Sequence, residues 1–171
     1  MSDLSRYIRD IPDFPKPGIL FRDITTLLQN PTAFASAVDA LAAPYRDRRI
    51  DAIAGIESRG FIFGAALAHL LKVGFIPIRK PGKLPAEKMK EEYQLEYGTD
   101  AVEVHRDAVK PGQQVLMVDD LLATGGTMSA SCSLIERIGG AVVGVAFLIE
   151  LTFLNGREKL KGRDIHTVIR Y

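Results

Sequence analysis

The pattern that points most directly to chemistry is a pair of adjacent carboxylates followed by a short loop of small and hydroxylated residues. Asp119 and Asp120 close the apolar run that begins at Val115. Glycines in the loop let the backbone approach a phosphate closely, and the amides at the start of a following helix would point at the anion. Threonine hydroxyls add further donors. The candidate phosphate-binding residues are Ala123, Thr124, Gly125, Gly126 and Thr127.

The two carboxylates indicate what else the ligand must carry. They would repel a ligand that was phosphate alone, so Asp119 and Asp120 are expected to face sugar hydroxyls or a metal ion. A ribose 5-phosphate fits, with its phosphate in the loop and its 2′ and 3′ hydroxyls on the carboxylates. No lysine follows the loop glycines and no Gly-x-Gly-x-x-Gly spacing occurs, which excludes a Walker A loop and a dinucleotide fingerprint.

Alternating strands and helices are predicted around this loop. Helices are expected from Pro31 with Asn30 as N-cap, over residues 61–72, and from the loop to a cap at Gly139 and Gly140. The predicted strands are Ile50–Ile56, Gly74–Ile78, Val115–Val118, Ala141–Ile149 and Ile165–Ile169. They are apolar on both faces, which predicts a single α/β domain over residues 1–171 with a mostly parallel central sheet flanked by helices. Ligands bind such sheets beyond the carboxyl ends of the strands.

The polar stretch between the second and third strands predicts a mobile β-hairpin beside the sheet. Its two alternating segments are residues 93–97 and 101–105, and the turn is expected over residues 98–100.

Composition narrows the class of protein. Lysine plus arginine total 22 and aspartate plus glutamate total 21, so the net charge of +1 gives no general attraction to nucleic acid or to anionic membranes. The one cysteine, Cys132, falls within a predicted helix and suggests a buried thiol in a reducing compartment. The longest apolar run, Ala141–Ile149, has about half the ~20 residues that a membrane span needs. A cytoplasmic location is therefore expected.

The stretch from Val115 to Thr127 resembles the phosphoribosyl pyrophosphate (PRPP) signature of the type I phosphoribosyltransferases. Its exact residues from Val118 to Thr127 are similar to those of the adenine-specific branch. Five other segments also resemble that branch. They are 12–24 (base binding), 54–61 (pyrophosphate loop), 78–85 and 95–98 (the two ends of a flexible flap), and 150–152 with 156–160. The resemblance implies the type I phosphoribosyltransferase fold, with a small N-terminal hood and a β-hairpin flap. It also implies transfer of ribose 5-phosphate from PRPP to adenine.

The resemblance also assigns roles to residues. Arg59, with Ser58, and Lys80 would hold the pyrophosphate, and Glu96 in the flap would exchange a proton with N7 of the base. Arg79, Lys83 and Lys88 are weaker candidates, because Lys80 lies nearest its strand end among the lysines of this region. The backbone of Leu20 and Arg22 would read the adenine edge while Phe21 packs on its face. The peptide bond between Glu57 and Ser58 is typically cis in the family.

Magnesium is expected to arrive with PRPP, so no dedicated protein ligands are predicted, and a homodimer is expected. Three alternatives stay open from the residues alone. They are a regulator that senses PRPP without turning it over, an enzyme that uses another base such as xanthine or orotate, and a plain nucleotide-binding module.

Overall fold

The computed structural model describes residues 3–95 and 98–171. Within these ranges the strands are β1 (Arg9–Ile11), β2 (Phe21–Asp23), β3 (Ala52–Ile56), β4 (Gly74–Ile78), β5 (Lys88–Gln94), β6 (Thr99–His105), β7 (Gln114–Leu122), β8 (Ala141–Glu150) and β9 (Ile165–Arg170). The α-helices are α1 (Thr25–Gln29), α2 (Pro31–Ala42), α3 (Arg59–Leu71) and α4 (Gly126–Arg137).

A five-stranded parallel sheet carries the fold, in the order β4-β3-β7-β8-β9. The inner strands are apolar on both faces, and every residue of β3 is buried. In the register, Ile56 of β3 lies beside Ile78 of β4, and Gly55 lies beside Val118 of β7. The carboxyl ends of these three strands therefore meet at one edge, and the predicted α/β sheet is confirmed.

The predicted helix signals at both α2 and α4 are also confirmed. The Asn30 side chain accepts a hydrogen bond from the Ala33 amide at 2.9 Å, and α2 ends at Ala42, before Pro44. After α4 the chain turns at Gly139, whose φ of +102° suits glycine. Cys132 lies within α4, fully buried, and burial raises the pKa of its thiol to about 12.

Several element boundaries differ from the sequence prediction: β3 begins at Ala52 rather than Ile50, and α3 spans Arg59–Leu71 rather than residues 61–72. Two further differences, at β7 and at the hairpin, bear on the site. Strand β7 runs on to Leu122, so Asp119 and Asp120 lie inside the end of the strand rather than after it. The hairpin pairs Lys88 with His105 and Gln94 with Thr99. The predicted turn over 98–100 is therefore wrong, because residues 99 and 100 belong to β6. The sequence missed this pairing because Lys90, Glu91 and Glu92 are all charged, although burial still alternates along β5 from Lys88 to Gln94.

The chain divides into two compact units, one ending at Ala40 and the other running from Leu41 to Tyr171. The first unit holds the antiparallel pair of β1 and β2 with α1, and it corresponds to the predicted N-terminal hood. The second holds the parallel sheet and the hairpin. A single domain over residues 1–171 stays a prediction.

Candidate active site

The glycine- and threonine-rich loop folds around a small cavity at the end of β7. Residues 123–127 line this cavity of about 80 Å³ together with Asp119. Gly125, at φ +80°, turns the chain into α4, which begins at Gly126. Amides at the start of a helix can bind an anion, and here the helix start lies beside a carboxylate.

The two strand-end carboxylates differ in their partners. The Oδ1 atom of Asp119 accepts a hydrogen bond from the Asp120 amide at 2.9 Å. Asp120 is 5% exposed, and its Oδ2 forms an ion pair with Arg59 Nε at 2.9 Å. The geometry of this contact does not meet the criteria for a hydrogen bond. Burial raises the pKa of Asp119 well above its usual value, and the neighbouring charge of Asp120 adds to the rise. Burial also raises the pKa of Asp120, which Arg59 opposes.

Helix α3 approaches the carboxylates closely because its second residue is a glycine. A Cβ atom on Gly60 would lie 2.7 Å from Asp119 Oδ1 and 3.0 Å from the Val118 carbonyl oxygen. Only a residue without a side chain allows this approach. The positive end of the α3 dipole therefore lies against the carboxylates, with Arg59 at its first position.

A third carboxylate, Glu57, gathers the cations that follow β4. Its Oε2 accepts hydrogen bonds from the Lys80 amide at 2.9 Å and Arg79 Nε at 3.3 Å, and its Oε1 accepts one from Lys83 Nζ at 2.7 Å. Burial raises the pKa of Glu57, but the Lys83 and Lys80 hydrogen bonds outweigh it, so the net change is a lowered pKa. The Glu57–Ser58 peptide bond is cis, as the resemblance predicts.

The side chain of Lys80 points to the hairpin. Its ammonium donates a hydrogen bond to the Tyr93 hydroxyl at 2.9 Å and makes an ion pair with Asp100. The Tyr93 hydroxyl donates to the same carboxylate at 2.9 Å. Desolvation lowers the pKa of Lys80, but the Asp100 and Tyr93 contacts raise it overall. Paired backbone bonds between Arg79 and Glu103 join the strand end to β6.

The structure thus brings together part of the predicted site. The loop residues, Asp119, Asp120 and Arg59 share the edge at the ends of β3 and β7, and Ser58 directly precedes α3. Glu96 lies outside the described residues. In the N-terminal unit, Phe21 packs edge-on against Phe14 with ring centroids 5.2 Å apart. Its neighbours differ in surroundings: Leu20 is 45% exposed and Arg22 pairs with Asp10.

Sequence reasoning missed the carboxylates that hold the cations. Glu57 and Asp100 were not predicted as site residues, although Glu57 directly precedes the Ser-Arg-Gly turn. Their roles depend on contacts 20 or more residues away in the chain, so spacing alone gives no signal. Among the described residues, no group of three histidine, cysteine, aspartate or glutamate side chains forms a metal-binding cluster. No helix in the same part of the chain is long and apolar enough to cross a membrane.

This chain is similar to known proteins over most of its length. The family model of the phosphoribosyl transferase domain matches residues 23–169 of the chain. The adenine phosphoribosyltransferase of Chloroflexus aurantiacus is 60% identical over 169 residues, covering 99% of this chain and 98% of that protein.

Solved structures are similar to this chain over nearly its whole length. The crystal structure of adenine phosphoribosyltransferase from Thermoanaerobacter pseudethanolicus is 56% identical, with a TM-score of 0.96 over 99% of this chain and 98% of that one. The Saccharomyces cerevisiae enzyme, in complex with D-2,5-dideoxy-2,5-imino-altritol 1,6-bisphosphate and adenine, is 39% identical. Its TM-score is 0.91, over 98% of this chain and 99% of that one.

Proposed function

Since this chain belongs to the phosphoribosyltransferase family, we propose that it is an adenine phosphoribosyltransferase, which converts adenine and PRPP to AMP and pyrophosphate. The observation that carries the proposal is the cavity that Asp119 shares with the loop over residues 123–127, next to the pair of Asp120 with Arg59. A phosphate site directly beside carboxylates suits a phosphorylated sugar. The reaction serves purine salvage.

Asp119 and Asp120 act on the ribose. The 2′ and 3′ hydroxyls donate hydrogen bonds to the two carboxylates, and the 5′-phosphate lies in the loop. The bond from C1′ to the pyrophosphate oxygen breaks and the bond from C1′ to N9 of adenine forms, so positive charge builds on the ribose ring between these events. Ionised carboxylates held in place before the reaction stabilise that charge.

Arg59, Ser58 and Lys80 receive the leaving pyrophosphate. Four cations that follow β3 and β4 already have a carboxylate partner: Asp120 for Arg59, Asp100 for Lys80, and Glu57 for Arg79 and Lys83. These four therefore offer little uncompensated positive charge to a highly anionic diphosphate. This fits Mg²⁺ carried by the oxygens of PRPP, which when bound neutralises charge on the diphosphate.

Adenine is proposed to bind at the N-terminal unit. The backbone of Leu20 and Arg22 matches the donor amino group and acceptor N1 of adenine, while Phe21 packs on the ring. A 6-oxopurine reverses the donor and acceptor, so it would leave polar groups unpaired. Adenine would attack through N9 as its N7–H tautomer, and Glu96 would accept the N7 proton as the C1′–N9 bond forms.

A homodimer in the cytoplasm completes the proposal. Support comes from α3, where the apolar side chains of Ile62 and Leu70, eight residues apart, are both exposed. The buried free thiol of Cys132 suits a reducing compartment.

The test of the activity is a panel of bases. The purified protein is incubated with PRPP, Mg²⁺ and, separately, adenine, hypoxanthine, guanine, xanthine or orotate, and nucleotide formation is followed by chromatography. We expect AMP from adenine and no product from the other bases. Turnover of a 6-oxopurine would contradict the base assignment, and PRPP binding without any turnover would favour a regulator.

A further inference from the structure

A buried carboxylate at the end of β8 has no part in the proposed reaction. Glu150 is 4% exposed and lies in register with Leu122, the last residue of β7 before the phosphate-binding loop. Its Oε1 accepts a hydrogen bond from Arg157 Nε at 2.6 Å. Its Oε2 accepts one from Arg157 Nη2 at 2.8 Å and one from the Thr167 hydroxyl at 2.9 Å. Arg170 Nε also lies 3.3 Å from Oε2, so the carboxylate is engaged by Arg157, Arg170 and Thr167, and its contact with Arg157 is bidentate.

Arg157 connects this carboxylate to a separate segment. It belongs to the 3₁₀ turn Gly156–Leu160, and its Nη2 also donates to Thr167 of β9 at 3.3 Å. Hydrogen bonds from Arg157 are the main reason that the pKa of Glu150 is lowered, so the pair is ionised at neutral pH. The Glu150 side chain is buried whereas that of Arg157 is 38% exposed, so removing Arg157 would leave a buried carboxylate without its bidentate partner. The pair therefore fastens the turn firmly to the ends of β8 and β9.

The same turn touches the phosphate-binding loop, backbone against backbone. A Cβ atom on Gly156 would lie 2.3 Å from the Ala123 carbonyl oxygen, and one on Gly125 would lie 2.3 Å from the Gly156 carbonyl oxygen. No side chain fits between the two segments. Gly156 therefore supports the loop at the residues that also line the phosphate-sized cavity.

We propose that Glu150 and Arg157 are positioning residues: their ion pair holds Gly156 in contact with the loop, and this contact keeps the loop amides oriented for the 5′-phosphate. The inference rests on the proposed function in that it takes the ligand of the loop to be a sugar phosphate. Neither side chain need touch the substrate. A loop that contains two glycines loses much conformational entropy when it binds an anion, and a preformed loop avoids that cost.

The proposal predicts an effect confined to the 5′-phosphate. Calorimetry measures binding of ribose 5-phosphate and, separately, of magnesium pyrophosphate, which does not use the loop. We expect Glu150→Gln and Arg157→Lys to raise the dissociation constant for ribose 5-phosphate about 10-fold. Binding of magnesium pyrophosphate should change less than about twofold. Gly156→Ala, which leaves the ion pair in place, should have at least the effect of Glu150→Gln.

Two matched controls separate positioning from general damage. Glu136→Gln breaks another bidentate pair, with Arg163, at the far end of α4. Gly74→Ala adds a methyl group where nothing lies within 4 Å. Both should bind ribose 5-phosphate as the wild type does.

Equal weakening of both ligands, or unchanged ribose 5-phosphate binding in folded variants, would overturn the proposal. If Glu150→Gln does not fold, Arg157→Lys and Gly156→Ala decide the question. Because binding is measured without turnover, failure of the wild type to make AMP would reject the proposed function and leave this test intact.

Discussion

At the scale of single residues, the proposed site depends on two neighbouring carboxylates whose ionised forms the surrounding protein destabilises to different degrees. Asp120 has Arg59 beside it, whereas Asp119 faces the start of α3 across Gly60. Burial raises the pKa of both. A ligand that brings hydroxyl donors, and positive charge during the reaction, stabilises their ionised forms. Burial raises the free energy of the ionised carboxylates in the free protein. It also strengthens their attraction to positive charge on the bound substrate.

Replacing Asp120 by Asn should separate activity from stability. The amide keeps the shape but loses the negative charge, so kcat should fall about 100-fold, equivalent to about 2.7 kcal/mol of transition-state stabilisation. The thermal midpoint should change little, because repulsion from Asp119 is removed along with the Arg59 pair. Steady-state kinetics and a thermal melt of the same preparation test this. Parallel loss of both properties would reject the catalytic assignment.

Replacing Asp119 by Asn should alter the pH dependence of stability. A carboxyl whose pKa is raised in the folded state favours the native protein only while it is protonated, so it lowers the free energy of unfolding as pH rises from about 4 through the raised pKa. The asparagine removes this penalty and keeps an oxygen to accept from the Asp120 amide.

The expected difference between Asp119→Asn and wild type is therefore near zero at pH 4 and grows toward pH 7. Each unit by which the native pKa is raised corresponds to about 1.4 kcal/mol. Urea unfolding at several pH values measures it, and a constant difference across that range would show that burial does not perturb this carboxyl.

At the scale of elements, the hairpin of β5 and β6 binds Lys80, a cation of the proposed pyrophosphate site. Asp100 and Tyr93 bind the Lys80 ammonium, and Arg79 pairs with Glu103 through the backbone. If Lys80 binds pyrophosphate as proposed, the pyrophosphate competes with Asp100 for it. The state of the hairpin and the charge available at the strand end are therefore coupled.

Asp100→Asn should make Lys80 more available. Since the pair is about one-third exposed on each side, its contribution is small, and we expect the dissociation constant for magnesium pyrophosphate to fall by about two- to fivefold. Calorimetry measures this. Lys90 pairs with Glu92 on the same hairpin, so Glu92→Gln is the matched control and should bind pyrophosphate as the wild type does. Weaker binding to Asp100→Asn would mean that the carboxylate positions Lys80 instead of competing for it.

The sequence predicts the buried strands, the start of α2 and the loop over residues 123–127. It does not predict which carboxylates pair with the lysines and arginines near the site. Buried apolar strands such as Ala52–Ile56 and the Asn30–Pro31 helix start are local patterns, so they could be read directly. The end of β7 could not, because the apolar run stops at Val118 and only the pairing with β8 shows that the strand continues to Leu122. Glu57, Asp100 and Arg157 act through contacts that only the folded chain creates.

At the scale of the whole molecule, two features bear on substrate capture and on the proposed dimer: the near-neutral net charge, and the exposed Ile62 and Leu70 of α3. With a net charge of +1, long-range attraction adds little to substrate capture. Recognition of the anionic substrate therefore depends on local geometry at the strand ends. The face of α3 is the surface on which a second copy is proposed to pack.

A charge on that face should shift the proposed dimer toward the monomer. Ile62 is 39% exposed, and Ile62→Glu places a carboxylate in a surface that the dimer would desolvate. Sedimentation velocity should show the wild type as a dimer and this variant as a monomer at micromolar concentration. Phe153→Glu, at a residue 67% exposed outside α3, should remain dimeric. A dimeric Ile62→Glu would exclude α3 from the interface.

The burial of Cys132 opens a route to watching the hairpin directly. With a pKa near 12 and no exposed surface, this thiol resists maleimides at neutral pH. A cysteine introduced at Leu95, which is 47% exposed at the end of β5, would then be the single reactive position. A fluorophore attached there would report hairpin motion during turnover, in a protein that keeps its native cysteine.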